Sequence, residues 1–406
     1  MKLTLPRIRI TAIALSLVVA SFAFGWWFGH RDFEIKREGI GVKVVDRSTP
    51  QDRSDVDFEL FWEVWDTLES KYFDKSKVSS QEMVLGAIKG MVASLEDPYT
   101  VFLPPDEQKR TKEDLGGQFE GVGIQIGFKG SQLAVISPLD GTPAKEAGVE
   151  GGDFIIGIKD KNKDIEMGTG GMSLPDAVKI IRGPAGTPVI LVVTREGVDQ
   201  PFEIEIVRSK IDVPSIILSF EGASNEIAHL KLLRFGDQTN GEWDSAVFDI
   251  KNKKSKGVVL DLRNNPGGYL NGAVFVASEF VKRGVSVIQE DGKGNRQEFK
   301  LSGAARLGDI PLVVLVNGGS ASASEIVAGA LKDHSRAKVV GETTFGKGTI
   351  QEAQELDSSG LHITTARWLT PEGNWINSEG LEPDIAIEDD PATEEDEQLL
   401  EAIKLL

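Results

Sequence analysis

Strand-length apolar runs alternate with helical patterns over residues 211–387, and this alternation constrains the fold more than any other feature of the chain. The runs are rich in Val and Leu, as expected of strands buried on both faces of a sheet. The strand runs include Gly257–Arg263, Pro311–Val316 and Ala337–Val340, and helical patterns lie at Leu270–Lys282 and Glu325–Lys332. Strands that alternate with helices in this way predict an α/β core.

Residues 116–208 show a different pattern, of short strands separated by glycine turns. A loop of Gly121, Val122, Gly123 and Ile124 leads into one of the strands. We expect the other strands at Gln132–Ile136, Asp153–Ile158 and Val189–Thr194, and helices near Pro143 and at Leu174–Ile181. Such a unit can bind a peptide as an added strand, with the loop amides donating to a terminal carboxylate. A plain turn is the alternative for the loop alone.

The N-terminus carries a membrane signal. Lys2, Arg7 and Arg9 precede the mostly apolar run Ile10–Phe28, which is long enough to cross a bilayer. The basic flank predicts a cytoplasmic N-terminus, with the remaining chain outside. We expect an uncleaved anchor, and a cleaved signal peptide is the alternative.

These patterns divide the chain into segments. Between the anchor and the glycine-rich unit, apolar residues recur at helical spacing over Asp57–Phe73 and Gln81–Leu95. The expected segments are a membrane anchor or signal segment (1–30), a polar linker (31–54), a helical region (55–115), the glycine-rich unit (116–208), the α/β core (209–389) and an acidic C-terminal helix (390–406).

Composition excludes several classes of function. The 406 residues carry a net charge of −18, which argues against a nucleic-acid partner because phosphate binding needs a basic surface. The absence of cysteine removes disulfides, zinc–thiolate sites and cysteine nucleophiles. The histidines, His30, His229, His334 and His362, lack metal-ligand spacing. No metal or cofactor is expected.

Ser322 is the candidate nucleophile, in a segment of small residues, Asn317–Glu325, between a buried strand and a helix. Ser322 and Glu325 also match a capping box, so Ser322 could simply be a helix N-cap. The two roles are compatible, because free N–H groups at a helix N-terminus stabilise an oxyanion. Ser320 and Ser324 are rival nucleophiles that spacing does not exclude.

Lys347 is the candidate base, since burial can lower a lysine pKa until a neutral amine is available. A rival interpretation is a phosphate-binding loop, because Gly341–Lys347 matches the first seven positions of that motif. The eighth position should be Ser or Thr but is Gly348. The following residues, Thr349–Leu356, alternate polar and apolar and predict a strand rather than the required helix.

Polar residues near these motifs could support them. Gln351 and Asp333 could orient the lysine, although solvated surface positions are equally compatible with the sequence. Asp261–Gly268 ends in paired glycines; such a turn can bring a backbone N–H near a substrate carbonyl, and a plain tight turn is equally compatible with the sequence. Arg182, after the helix Leu174–Ile181, could link a peptide groove to the core or merely balance a helix dipole.

In combination, these motifs resemble the carboxyl-terminal processing proteases (tail-specific proteases), which form subfamily A of peptidase family S41. The resemblance covers about Asp55 to Glu388. The motifs that carry it are LDLRNNPGG, NGGSASASEIVAGALKD, GETTFGKGTIQ and TPEGNWINSEGLEPD in the core, with GVGIQIG and GTPAKEAGVEGGDFI for an embedded PDZ domain. The loop Lys159–Gly171 is longer than is usual in that PDZ domain.

The resemblance implies a multi-domain α+β protein: an N-terminal helical segment, a PDZ domain built as a small β-barrel with helices, and an α/β protease core of the crotonase or Clp type. It implies Ser322 as nucleophile, Lys347 as base and Gln351 as the residue that orients the lysine. It further implies Ala323 and Gly268 as oxyanion N–H donors and Asp333 as a supporting carboxylate whose role could be structural.

The activity implied is serine endopeptidase action on proteins with free C-terminal tails, captured by Gly121, Val122, Gly123 and Ile124. The site would lie on the periplasmic side of an inner membrane, or in the periplasm after signal cleavage. A homodimer and an adaptor protein stay open as further partners. The alternative is a catalytically inactive, membrane-tethered PDZ scaffold.

Overall fold

The computed structural model describes residues 15–23, 26, 33–38, 41–46, 57–139, 141–389, 393 and 395–406. The chain divides into two compact units, residues 1–86 and 87–406. The boundary lies within the helix Ser80–Ala93, which corresponds to the helical segment predicted over Gln81–Leu95.

The first unit combines helices with a hairpin. Residues 15–23 are helical, and strands β1 (Phe33–Glu38) and β2 (Gly41–Asp46) pair antiparallel. The expected linker over 31–54 is therefore wrong for these residues, where apolar and polar residues alternate over short strand lengths. Helix α1 (Glu59–Lys71) and a 3₁₀ turn (Lys75–Lys77) precede α2 (Ser80–Ala93).

The expected membrane span Ile10–Phe28 lies partly outside the described residues. Among the residues that are described, no helix is long and apolar enough to cross a membrane.

The glycine-rich unit is an antiparallel sheet in the strand order β10–β9–β7–β6–β5, and β8 pairs with β7. Its elements are β4 (Gln118–Gly121), β5 (Ile124–Lys129), β6 (Gln132–Pro138), α4 (Pro143–Glu146), β7 (Phe154–Asp160), β8 (Ile165–Gly168), α5 (Leu174–Ile181), β9 (Pro188–Thr194) and β10 (Phe202–Val207). Valines and isoleucines of β6, β7, β9 and β10 alternate inward and form its core. The longer loop, Lys159–Gly171, contributes β8.

Strand β11 (Ser209–Asp212) pairs with β4 and returns the chain to the core. The core sheet has the order β12–β13–β14–β17–β18–β21, parallel except for β12. Its strands and helices are β12 (Ile216–Glu221), β13 (Ile227–Leu232), α6 (Thr239–Lys253), β14 (Gly257–Asp261), α7 (Leu270–Ser278), β17 (Leu312–Val316), α8 (Ala323–Asp333), β18 (Lys338–Gly341) and β21 (Ile385–Ala386). The alternation expected from the sequence is present.

A second, antiparallel sheet carries the lysine segment. Its order is β16–β15–β20–β19, and β3 pairs with β20. The strands are β3 (Val101–Leu103), β15 (Arg283–Asp291), β16 (Arg296–Ser302), β19 (Thr349–Leu356) and β20 (Ser359–Leu369). Helix α3 (Pro105–Gly116) follows β3.

The C-terminal helix α9 (Glu397–Lys404) packs on the core sheet of its own chain. Ala402 is fully buried there. Asp396 and Gln398 hold Arg263, which also pairs with the buried Asp261 at the end of β14. The tail is thus tied to the turn that precedes the paired glycines.

One helix boundary differs from the prediction. The helix expected over Leu270–Lys282 ends at Ser278, because Phe280 is buried in the core and the next strand begins at Arg283.

Candidate active site

Ser322 sits at a sharp turn between β17 and α8. Its backbone has φ +54° and ψ −113°, a conformation that residues other than glycine rarely adopt and that often marks functional sites. Its neighbours are committed elsewhere, because the buried Ser320 and Ser324 hydroxyls donate to the carbonyls of Leu262 and Asn265. Of these three serines, only Ser322 lines the adjacent cavity.

The paired glycines after β14 lie directly against this turn. A Cβ on Gly267 would approach the Cβ of Ser322 to 2.9 Å and the N of Ala323 to 3.0 Å. Gly268 has φ +138° and no room for a Cβ beside Phe235, so both positions require glycine. Within the described residues, the N–H groups of Gly268 and Ala323 donate no hydrogen bond. Both residues line the same cavity as Ser322.

Lys347 lies in a tight loop between β18 and β19. The carbonyl of Lys347 accepts from the buried Trp368 indole at 2.8 Å. A Cβ on Gly348 would lie 2.6 Å from Trp375 Nε1 and 2.7 Å from Asn377 Cβ. Neither Ser nor Thr fits at Gly348, and strand β19 follows instead of a helix. The phosphate-loop interpretation is therefore excluded.

The buried Glu325 carboxylate joins the serine turn to the lysine loop. It accepts from the N–H of Ser322 at 2.7 Å. It also accepts from the Thr344 hydroxyl at 2.6 Å and from the N–H groups of Gly346 and Lys347 at 2.7 and 3.0 Å. Hydrogen bonds to an ionised acceptor are about twice as strong as neutral ones. One carboxylate thus holds both loops.

Ser322, Lys347 and Gln351 line one cavity of about 650 Å³ together with Gly268 and Ala323. The structure therefore brings together every catalytic and oxyanion residue expected from the sequence. Apolar side chains form much of the remaining wall, among them Leu115, Leu233, Leu270, Ile326, Ile350 and Ala353.

The electrostatic setting suits a lysine base. Burial lowers the Lys347 pKa from its ordinary value, against the opposing attraction of the Glu325 and Asp97 carboxylates. Burial, and then the nearby Lys347 charge, also lower the pKa of His362, which lines the cavity. In the described part of the chain, Lys347 Nζ has no hydrogen bond or ion pair, and it lies 4.8 Å from the centroid of the Tyr99 ring.

Gln351 is oriented by a chain of hydroxyls that ends at Asp97. Burial alone would raise the pKa of Asp97, but hydrogen bonds from Thr364, Thr100 and backbone N–H groups hold it below its usual value. The Thr364 hydroxyl oxygen accepts from Gln351 Nε2 at 3.1 Å, which leaves the hydroxyl proton to point toward Asp97. The Thr349 hydroxyl oxygen accepts from the same amide nitrogen at 2.9 Å. Gln351 Oε1 is left as the acceptor available to an ammonium.

Asp333 does not reach this cavity. It closes the opposite end of α8, about 16 Å along the helix from Ser322, where its carboxylate accepts from the N–H of Glu372 at 2.9 Å. Its contacts are those of a structural residue.

The four glycine-loop residues of the β unit join β4 to β5. The carbonyls of Val122 and Gly123 accept from Ala144 and Leu139, each at 2.9 Å. Among the described residues, the N–H groups of Val122 and Gly123 donate no hydrogen bond. Strand β5, which contains Ile124, is at the edge of its sheet.

Arg182 lies between the two parts of the second unit. Its guanidinium stacks 4.2 Å from the Phe119 ring centroid and lies 3.7 Å from Glu113 of α3. Leu115, also on α3, lines the catalytic cavity.

Several residues that shape the site were not predicted from the sequence. Glu325 was visible only as part of a capping box, and its contacts with Thr344 and Gly346 depend on the fold. Asp97 and Tyr99 lie far from the motifs in sequence and reach the lysine only because β3 pairs with β20.

Comparison with known proteins agrees with this geometry. Residues 226–387 match Peptidase family S41, and residues 20–107 match the Activating protease CtpB N-terminal domain. A carboxy-terminal-processing protease of Bartonella bacilliformis is 42% identical over 317 residues, which are 76% of this chain and 70% of that protein. The carboxy-terminal processing protease CtpA of Bacillus subtilis is 36% identical over 82% of this chain and 70% of its own.

A solved structure extends the comparison to the fold. An S41 protease described as putative, from Bacteroides fragilis, covers 80% of this chain and 90% of its own with a TM-score of 0.52. At 14% identity, this likeness concerns the fold alone. The identity to the Bartonella relative, over more than two thirds of both chains, decides the family. The chain belongs to the carboxy-terminal processing proteases of peptidase family S41, which are serine peptidases with an embedded PDZ domain.

Proposed function

We propose that the protein cleaves polypeptides by Ser–Lys catalysis, with Ser322 as nucleophile and Lys347 as base. The observation that supports this proposal is that one cavity is lined by Ser322, by a desolvated Lys347, and by Gly268 and Ala323. Within the described residues, the N–H groups of these last two donate no hydrogen bond. A lysine whose pKa is lowered by burial supplies the neutral amine that a serine hydroxyl needs.

The reaction follows from these positions. Neutral Lys347 removes the hydroxyl proton as Ser322 Oγ bonds to the scissile carbonyl carbon, and the N–H groups of Gly268 and Ala323 bind the resulting oxyanion. The intermediate collapses as the C–N bond breaks, and the Lys347 ammonium returns the proton to the leaving amine. A water, deprotonated by the same lysine, then hydrolyses the acyl-enzyme. Gln351 Oε1 accepts from the ammonium and directs it.

Substrates are selected by their C-terminal tails. The open edge of β5 can accept an extended peptide as a further strand, and the N–H groups near Val122 and Gly123 can donate to its carboxylate. Helix α5 carries the apolar, partly buried side chains Leu174 and Ile180, which pack against the core of the unit that contains β5.

The compartment is the cell envelope. The run Ile10–Phe28 with its basic flank supports an inner-membrane anchor and an extracytoplasmic catalytic part. Protease protection of the chain in intact and permeabilised cells tests this placement. Protection that depends on the outer barrier alone supports it, and protection in spheroplasts contradicts it.

Tail-dependent cleavage tests the proposed reaction. The full chain is incubated with a loosely folded reporter that ends in a free apolar tail, and with the same reporter whose terminal carboxylate is amidated. We expect cleavage of the free-tailed reporter, slower cleavage of the amidated one, and none by Ser322→Ala or Lys347→Ala.

Ser324→Ala is the matched control, because it removes a neighbouring hydroxyl whose hydrogen bond, among the described residues, goes to the Asn265 carbonyl rather than into the cavity. It should cleave at close to the wild-type rate. Full activity of Ser322→Ala or Lys347→Ala refutes the dyad, and equal cleavage of both reporters refutes tail recognition while leaving the dyad intact.

A further inference from the structure

The Tyr99 ring faces the candidate base. Lys347 Nζ lies 4.8 Å from the ring centroid, within the distance at which an aromatic face attracts a cation. Tyr99 is half-buried, so this contact is partly shielded from water. Tyr99 belongs to a segment that precedes the PDZ domain and is far in sequence from every motif of the core.

The Tyr99 ring is positioned by a hydrogen-bonded turn, residues 97–100. The Asp97 carboxylate accepts from the N–H of Tyr99 at 3.0 Å and from the Thr100 hydroxyl at 2.7 Å. The buried Thr100 hydroxyl in turn accepts from the N–H of Thr364 on β20 at 3.0 Å. Strand β3 then continues this attachment by pairing with β20. The turn is therefore fixed to the sheet that also carries Gln351.

We propose that Tyr99 is a positioning residue whose ring face stabilises the Lys347 ammonium that forms when the lysine takes the serine proton. This inference rests on the proposed Ser–Lys reaction. A neutral amine gains little from an aromatic face, whereas a desolvated cation gains substantially. The contact therefore strengthens as the proton arrives, and this difference is what accelerates a chemical step.

Other groups near the lysine also influence its charge. Glu325 on α8 and Asp97 before β3 favour the ammonium, and His362 on β20 interacts with Lys347 electrostatically. Tyr99 itself stays neutral, because burial and the Glu325 and Asp97 carboxylates raise its phenol pKa. A pH experiment must therefore separate the lysine from the imidazole.

The test measures acylation of the full chain by a fluorophosphonate as a function of pH, in a His362→Gln background. Tyr99→Phe keeps the ring, and Tyr99→Leu replaces it with an aliphatic side chain. Tyr72→Leu, at an exposed tyrosine, controls for the chemical change. Phenylalanines of increasing fluorine content at position 99 keep the ring shape while weakening its negative face, which guards against misfolding of Tyr99→Leu.

We expect Tyr99→Phe and Tyr72→Leu to match the parent. Tyr99→Leu should acylate about 10-fold more slowly on the high-pH plateau. Its acid limb should move to lower pH, because the ammonium has lost a stabilising contact, and fluorination should produce the same changes in graded form.

An acid limb that moves to higher pH in Tyr99→Leu would mean that the ring only excludes water, and it overturns the proposal. Unchanged profiles in Tyr99→Leu and in the fluorinated series do the same. In both cases an inactive Lys347→Ala shows that the dyad stands. Wild-type acylation by Lys347→Ala instead overturns the dyad, and the role of Tyr99 with it.

Discussion

Replacing Glu325 by Gln should separate the two loops of the active site without changing the size of the side chain. Both carboxylate oxygens are occupied, Oε2 by the N–H groups of Ser322 and Lys347, and Oε1 by the Thr344 hydroxyl and the Gly346 N–H. An amide offers one acceptor oxygen and one donor nitrogen. Whichever way it is placed, at least one buried N–H loses its acceptor.

The cost can be worked from these contacts. A buried N–H left without an acceptor costs about 1–3 kcal/mol, and each retained bond weakens by about 1 kcal/mol when the acceptor loses its charge. Relief of the desolvation of a buried charge offsets part of this cost. We expect the free energy of unfolding to fall by about 2–3 kcal/mol. Acylation should slow about 100-fold, since a displacement of about 1 Å at a reacting group has that effect.

Guanidinium unfolding followed by tryptophan fluorescence measures the stability, and fluorophosphonate labelling measures the acylation rate. Glu379→Gln is the matched control, because Glu379 is exposed in the segment next to the lysine loop, and it should resemble wild type in both assays. Wild-type stability together with wild-type acylation in Glu325→Gln would show that the carboxylate does not organise the site.

Three further substitutions probe other parts of the account. Gly348→Ser completes a phosphate-loop sequence but places its Cβ against Trp375 and Asn377. It should lower the free energy of unfolding by about 1–3 kcal/mol and show no ATP binding by calorimetry. Measurable ATP binding would contradict the exclusion of a phosphate-binding loop. Asp97→Asn removes the charge and replaces one of the two acceptor oxygens by a donor NH₂ group, which weakens the hydroxyl contacts that lead to Gln351. We expect kcat to fall about 10-fold and a double-mutant cycle with Gln351→Ala to be strongly non-additive. Additive effects would show that Asp97 and Gln351 do not act together. Arg208→Met removes the arginine that pairs with the fully buried Asp160 at 2.6 Å. The Asp160 carboxylate keeps Lys163 at 3.8 Å and two backbone N–H donors, so thermal denaturation should reveal a loss of about 3 kcal/mol in the free energy of unfolding. An unchanged melting curve would contradict the importance of this pair.

Local hydrophobic patterns in the sequence predicted many of the strands and helices. Apolar runs such as Pro311–Val316 and the helical spacing over Leu174–Ile181 became the expected strand and helix, because each pattern reflects burial of the element itself. The hairpin β1–β2 was missed because its two short strands alternate too briefly to stand out from polar sequence. Helix α7 was predicted too long, since the apolar Phe280 continues its pattern but packs in the core after the chain has turned.

The site was predictable where motif residues are close in sequence and not where they meet through the fold. Spacing could not choose among Ser320, Ser322 and Ser324, whereas hydrogen bonding does, because two of these hydroxyls are committed to backbone carbonyls. Asp333 shares α8 with the serine turn, yet the helix carries it to the far end. Tyr99 could not be foreseen, because no local pattern relates a turn before the PDZ domain to a lysine after β18.

The most direct measurement of the Ser–Lys assignment is the site and rate of covalent labelling by a fluorophosphonate, read by mass spectrometry of the digested protein at several pH values. We predict a single modified residue, Ser322, with a labelling rate that rises as pH rises through the lowered pKa of Lys347. Lys347→Ala should label at least about 1000-fold more slowly. Labelling at another serine, or labelling of Lys347→Ala at the wild-type rate, would contradict this assignment.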